Sequence, residues 1–123
     1  MPYELTFVNE DGFLSVHATG VRTRDAVLAM ANEILNTCDK RQYNRVMVDV
    51  RKMTGQLNTF ETYDMTTVDL TRLRRFRNIK IALLDLEKNR ERVVFFETVS
   101  RNMGFNLMAF LDMNDATKWL LEK

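Results

Sequence analysis

The chain has 123 residues, a length that fits one domain with a core large enough to need no disulfide or metal staple. Hydrophobic residues make up 46% and charged residues 28%, the profile of an ordinary globular protein rather than a disordered or membrane-spanning one. A net charge of +1 gives no general pull toward nucleic acid or anionic lipid.

The opening MPYELTFVNEDG lacks the basic start and long apolar stretch of a secretion signal, and no apolar run reaches membrane-spanning length. A reducing, cytoplasmic setting is the expectation. Alternating residues over Tyr3–Asn9 and over 13–19 predict two strands, with Glu10-Asp11-Gly12 as the hairpin turn and Gly20 closing the second strand. His17 falls in the second of these strands as an edge or face residue, with no recognisable nucleophile motif.

From Arg24 to about Arg41, Val27, Met30, Ala31, Ile34 and Cys38 recur at helical spacing, with Thr23 placed as N-cap and Asp25 in the first turn. Cys38, the single cysteine, takes an apolar position and reads as a buried thiol. One cysteine and one histidine cannot make a zinc site.

Residues 46–50 (VMVDV) predict a short strand covered on both faces, apolar except for Asp49 near its end. A helix is expected from Asn58 to about Phe76, opened by Asn58 and Glu61 as a capping-box pair. The basic run RLRRFRNIK (72–80) holds Arg72, Arg74, Arg75, Arg77 and Lys80. It reads as the solvated, cation-rich end of that helix, ahead of an acidic partner or lipid headgroup and well ahead of nucleic acid. Residues 79–84 (IKIALL) predict a buried strand and 89–103 a helix, with Gly104 as its left-handed cap. A last strand covers 105–111 (FNLMAFL), and Asp112 or Asn114 starts a short helix burying Ala116, Trp119 and Leu120.

The predicted order is β-β-α-β-α-β-α-β-α, an α/β single domain over 1–123 with a mixed, mostly parallel sheet. Three stretches in this order, VMVDVRKMTG (46–55), RRFRNIKIALL (74–84) and FLDMNDATKWL (110–120), give the chain a resemblance to the STAS domain. The nearer likeness is to the small stand-alone SpoIIAA-like bacterial proteins, and it covers essentially the whole chain. The resemblance implies a regulator acting through protein contacts. It also implies an Asp-Ser-x-Gly at the second helix start, whose serine a partner kinase phosphorylates. Here that position holds Leu57-Asn58-Thr59-Phe60, so the switch is expected to be lost. Thr54 and Thr59 are the only local hydroxyls left to substitute.

Candidate binding residues follow from the rule that ligands sit beyond the carboxyl ends of parallel strands. Those ends offer Asp49, Arg51, Thr54, Asp85, Glu87 and Asp112, with Asn58 and Thr59 at the helix start. Asp49, Asp85 and Thr54 together suggest a divalent cation site or an acid–base pair. Acceptance of backbone N–H bonds is the preferred reading, because acids and histidines are too sparse for a metal hydrolase.

Eight methionines are many for this length, and Met103, Met108 and Met113 crowd the last third with Phe105 and Phe110. These five are the candidate interface or apolar pocket, expected to meet at one corner of the sheet. Alternation puts Phe105, Leu107, Ala109 and Leu111 on one face and Met108 and Phe110 on the other, each face needing a helix, a second copy or a ligand to cover it. The functional expectation is a non-catalytic regulatory or binding module with a protein partner or self-association as a dimer, and without cofactor. The alternative is a carrier or sensor of an apolar, lipid-like molecule held between helices and sheet. A metal-assisted hydrolase ranks third.

Overall fold

The structure, a computed structural model, describes residues 3–122. Five strands form one sheet: β1 (Tyr3–Asn9), β2 (Leu14–Val21), β3 (Arg45–Thr54), β4 (Lys80–Leu84) and β5 (Asn106–Phe110). They lie side by side in chain order, with β1 antiparallel to β2 and every later pair parallel. The helices are α1 (Arg24–Arg41), α2 (Thr59–Asp64), α3 (Arg90–Asn102) and α4 (Met113–Leu121). The predicted element order holds throughout, and β3 is central and parallel to β4 as expected.

Because strand order follows chain order, three right-handed crossovers must all fall on the same face of the sheet. That face carries Leu14, Val16, Ala18, Val46, Val48, Val50, Ile81 and Leu107, and it packs on Ala26, Met30, Ile34, Leu35 and Cys38 of α1. A strand has period two, so the intervening residues face the other way. Met47, Ala82 and Leu84 there meet Phe13 and Ala116 and Leu120 of α4. On this face α4 packs over β3, β4 and β5. Beyond its reach the β1–β2 part of this face is open, and Glu4, Thr6, Val8, His17 and Thr19 are exposed.

Local chemistry explains the element ends. The Thr23 hydroxyl accepts from Ala26 N at 3.1 Å, and the left-handed Gln42 ends α1. Gly104 takes φ +90° just past α3, as its place in the sequence predicts. Cys38 is fully buried, and burial pushes its thiol up to about 11.

Three boundaries depart from the sequence expectation. β2 runs through Gly20 to Val21, because a register shift between His17 and Thr19 lets pairing with β3 continue. β3 extends to Thr54, four residues beyond the predicted end at Val50, because it pairs with the lengthened β2. The helix predicted to reach Phe76 keeps α-geometry only to Asp64. It widens into a π-helical turn (Met65–Asp69), tightens to 3₁₀ (Leu70–Arg72) and breaks at Leu73. The basic run therefore is not the end of α2; it forms a separate 3₁₀ turn (Arg74–Asn78).

Two of its cations still meet helix C-termini, those of other helices. Arg77 donates to the Met103 carbonyl at the end of α3, at 3.2 Å. Lys80 donates to the Trp119 and Glu122 carbonyls at 2.6 and 2.9 Å, beside the Trp119 ring. Arg45 reaches Leu120 O at 3.0 Å, so the end of α4 is tied to β3 and β4 by two cations. No helix among the described residues is long and apolar enough to cross a membrane.

Candidate functional site

The carboxyl ends of β2, β3 and β4 are joined by one side chain, Arg22, which follows β2 directly. Its guanidinium donates to the carbonyls of Val50 (3.0 Å), Met53 (3.3 Å) and Gly55 (3.0 Å) and to both oxygens of Asp85 (3.1 and 3.0 Å). Asp85 lies just past β4. Its Oδ1 also accepts from Leu86 N at 2.7 Å and Asn89 Nδ2 at 2.8 Å, whereas Oδ2 takes only the bond from Arg22. Asn89 in turn accepts from the Gln56 amide, and Arg92 of α3 donates to the Leu57 carbonyl. Gly55 makes the close approach feasible: its φ is +77°, and a Cβ there would stand 3.3 Å from Val21 Cγ1.

The next turn begins α2. Asn58 Oδ1 accepts from Glu61 N at 2.7 Å, and Glu61 Oε1 accepts from Asn58 N at 3.2 Å, the reciprocal pair that the sequence predicts. Phe60 and Tyr63, one helical turn apart, are 75% and 55% exposed.

Beneath this rim, between the sheet and α1, α2 and α3, lies a cavity of about 160 Å³. Met30, Met53, Met65, Phe76, Phe96 and Leu107 line its body, and Arg22, Gln56, Thr62, Asp85 and Arg92 supply its polar lining.

A second polar group sits on the opposite face. Ser15 Oγ lies 3.3 Å from His17 Nε2, and His17 Nδ1 lies 3.4 Å from Asp49 Oδ2. Arg51 holds Asp49 through its side chain at 3.0 and 2.9 Å and through its backbone N–H at 3.1 Å. Burial pushes the Asp49 carboxyl up, but the bonds from Arg51 and the nearby His17 outweigh it and hold the group below its ordinary value. Ser, His and Asp in this sequence of contacts resemble an acyl-transfer triad. Ser15, however, is buried in a strand paired on both sides, so the neighbouring backbone N–H groups serve the ladders rather than an oxyanion. The arrangement is a polar brace. Ser15 carries no sequence signal except its spacing from His17, since residues two apart on a strand share a face.

The structure separates several residues that the sequence grouped. Asp49 lies within β3 on the α4 face, whereas Asp85 faces the cavity on the other, so they cannot share a cation. No group of three acidic, His or Cys side chains suited to a metal occurs among the described residues. Thr54 ends β3, its hydroxyl 3.5 Å from Gly20 O, and Thr59 is exposed in the first turn of α2.

The five residues of the last third do not meet at one corner. Phe105 is buried with Ala31, Met65 and Leu70, its ring tilted against that of Phe76 at 5.8 Å, with Met103 packed beside this cluster. Phe110 lies on the other face under α4, whose first residue is Met113, with the Phe110 ring 5.6 Å from Trp119. Met108 is half-buried, and none of the five lines the cavity. Their separation follows from the period of β5, which sends neighbours to opposite faces. The residues that do build the rim, Arg22, Gln56, Asn89 and Arg92, carry one faint sequence signal. Arg22 and Asp85 each directly follow a strand.

The order of strands, the opening hairpin and the helices on both faces define a STAS/SpoIIAA-like fold. Two solved structures share it over nearly their whole length. One is an anti-sigma factor antagonist from Mycobacterium paratuberculosis, with TM-score 0.63 and 8% identity, covering 98% of this chain and 95% of that one. The other is an uncharacterised Shewanella loihica protein with a SpoIIAA-like fold, with TM-score 0.59 and 16% identity, covering 96% and 93%. No protein-family model and no curated protein sequence matches the chain.

Proposed function

We propose that the chain is a non-catalytic regulatory module that binds a protein partner through the start of α2. The observation that carries this reading is the pair Phe60 and Tyr63, two large aromatic side chains left in solvent on a helix whose first turn is rigidly capped. The fold it shares with an anti-sigma factor antagonist supports the class of regulator. Asn58 stands where the pattern of anti-anti-sigma factors has serine, and its side chain is committed to the cap, so binding here works without phosphorylation at that position.

A photo-crosslinking residue placed at 60 in living cells tests this, with one at the exposed Leu121 as control. The expected result is a single partner captured from position 60 only, its capture lost in Tyr63→Asp while the melting temperature is unchanged. Equal capture from both positions overturns the reading; capture of a second copy of the chain turns it into self-association. The interior cavity favours a second reading, retention of an apolar small molecule between helices and sheet.

A further inference from the structure

The sheet has two edges, β1 and β5, and the chain treats them differently. At β5 the main-chain groups that point away from β4 are taken up by side chains of α3. Glu97 Oε2 accepts from Ala109 N at 2.6 Å, and Arg101 donates to Leu107 O at 3.3 Å. Capping an edge strand in this way keeps other strands from adding to it. At β1, among the described residues, the side chains arriving from α1 bond to side chains and leave the main chain open. Tyr3 Oη donates to Glu33 at 3.1 Å, and Arg41 donates to Asn9 Oδ1 at 3.0 Å with its guanidinium 5.6 Å from the Phe7 ring centre.

The hairpin settles which groups of β1 face outward. Glu10 N donates to Phe13 O at 3.0 Å, and the register runs on from Asn9↔Leu14 to Tyr3↔Gly20. In an antiparallel pair the N–H and C=O of one residue point to the same side, and that side alternates along the strand. Val8, Thr6 and Glu4 therefore bond toward β2, while Tyr3, Leu5, Phe7 and Asn9 point away from it. Those four are spaced to pair with the same strand of a second copy. With Thr6 opposite its own counterpart, Tyr3 meets Asn9 and Leu5 meets Phe7, each pair aiming its main-chain groups across the seam. Such a pairing makes about eight backbone hydrogen bonds.

The side chains agree with that register. Leu5 and Phe7 are half-buried on the α1 face and cover each other across the seam, while Thr6 pairs with Thr6 on the open face. Glu4, the only charged residue of the strand, falls opposite Val8 and not opposite itself. Neither proline nor glycine interrupts Tyr3–Asn9. The helix above adds complementary charge. Glu33 stands over Tyr3, and Arg41 stands over Phe7 and Asn9, so a two-fold at Thr6 brings each Glu33 to the Arg41 end of the other copy.

We infer that β1 is a self-association edge, where two copies join antiparallel about a two-fold axis at Thr6 and merge their sheets into one. The seam uses none of the residues proposed above to hold a protein partner, so the two readings stand or fall separately.

Sedimentation velocity of the full chain is expected to show a monomer–dimer equilibrium with a micromolar dissociation constant, as befits a small interface. Thr6→Lys sets like charges opposite each other at the axis and should weaken association about fivefold or more, with an unchanged melting temperature. Arg41→Glu should also weaken it, and the charge swap Glu33→Arg/Arg41→Glu should restore it to within about twofold. Facing Thr6 residues form a non-hydrogen-bonded pair, whose Cα separation of about 4.5 Å suits a disulfide. Thr6→Cys should therefore oxidise to a covalent dimer. Val8→Cys should not, because its counterpart lies farther along the seam; the native Cys38 is buried and stays out of the reaction. A monomer at every concentration up to about 500 μM would overturn a second copy as the occupant of this edge. A dimer indifferent to Thr6→Lys would overturn the seam, and linkage of Val8→Cys as readily as Thr6→Cys would overturn the register.

Discussion

Arg22→Ala is the most informative single perturbation of the rim. The side chains of Arg22 and Asp85 are only 11% and 5% exposed, so neither charge is screened by water to any useful degree. Removing the guanidinium deletes five donated hydrogen bonds and leaves the Val50, Met53 and Gly55 carbonyls short of a donor. It also strands the Asp85 carboxylate with only Leu86 N and Asn89 Nδ2. Breaking a buried pair from one side typically costs about 3–5 kcal/mol, because an uncompensated charge remains. Part of this is regained if the stranded charge is removed as well. The double variant Arg22→Ala/Asp85→Asn should therefore be less destabilised than the two single losses added together, by about 1–3 kcal/mol. Urea unfolding at neutral pH, followed by far-ultraviolet circular dichroism for the four proteins of the cycle, gives both numbers. A loss below about 1 kcal/mol for Arg22→Ala, or strict additivity in the cycle, would show that the pair is not the clamp described above.

Other substitutions read other parts of the molecule. Asn58→Ala should cost about 1 kcal/mol through the lost cap, and phosphate mapping in cells should find none at Thr54 or Thr59; modification there that alters binding would refute the loss of the switch. Phe110→Ala removes a ring that α4 covers, so a stability loss of about 2 kcal/mol is expected by denaturant melt, below the value for a wholly buried ring. A defect in association without that loss would contradict its place under α4. Among the described residues the buried Ser100 hydroxyl has no hydrogen-bond partner, so Ser100→Ala should raise stability, by up to about 1 kcal/mol. Destabilisation in the same melt would mean that the hydroxyl is satisfied after all.

Much of this protein is legible in its sequence because the signals concerned are local. The alternation in β1 and β2, the helical spacing from Val27 to Cys38, the Asn58–Glu61 pair and Gly104 each depend on residues within one element, and each lies where the pattern puts it. Strand order also follows from elements in sequence, since right-handed crossovers leave few arrangements of β-β-α-β-α-β-α-β-α. What needed the tertiary structure were relations between elements far apart in the chain. Asp49 and Asp85 look alike as strand-end acids, yet the longer β3 and the period of two turn them to opposite faces. Arg22 and Asp85 lie 63 residues apart, and only the pairing of β2 with β3 and β3 with β4 brings them within 3.0 Å. The cavity belongs to no segment at all. It is the space left where α1, a helix that widens at Met65, and α3 meet the sheet. Local propensity writes the elements into the chain, whereas unfilled space is set only when their faces have been packed against one another.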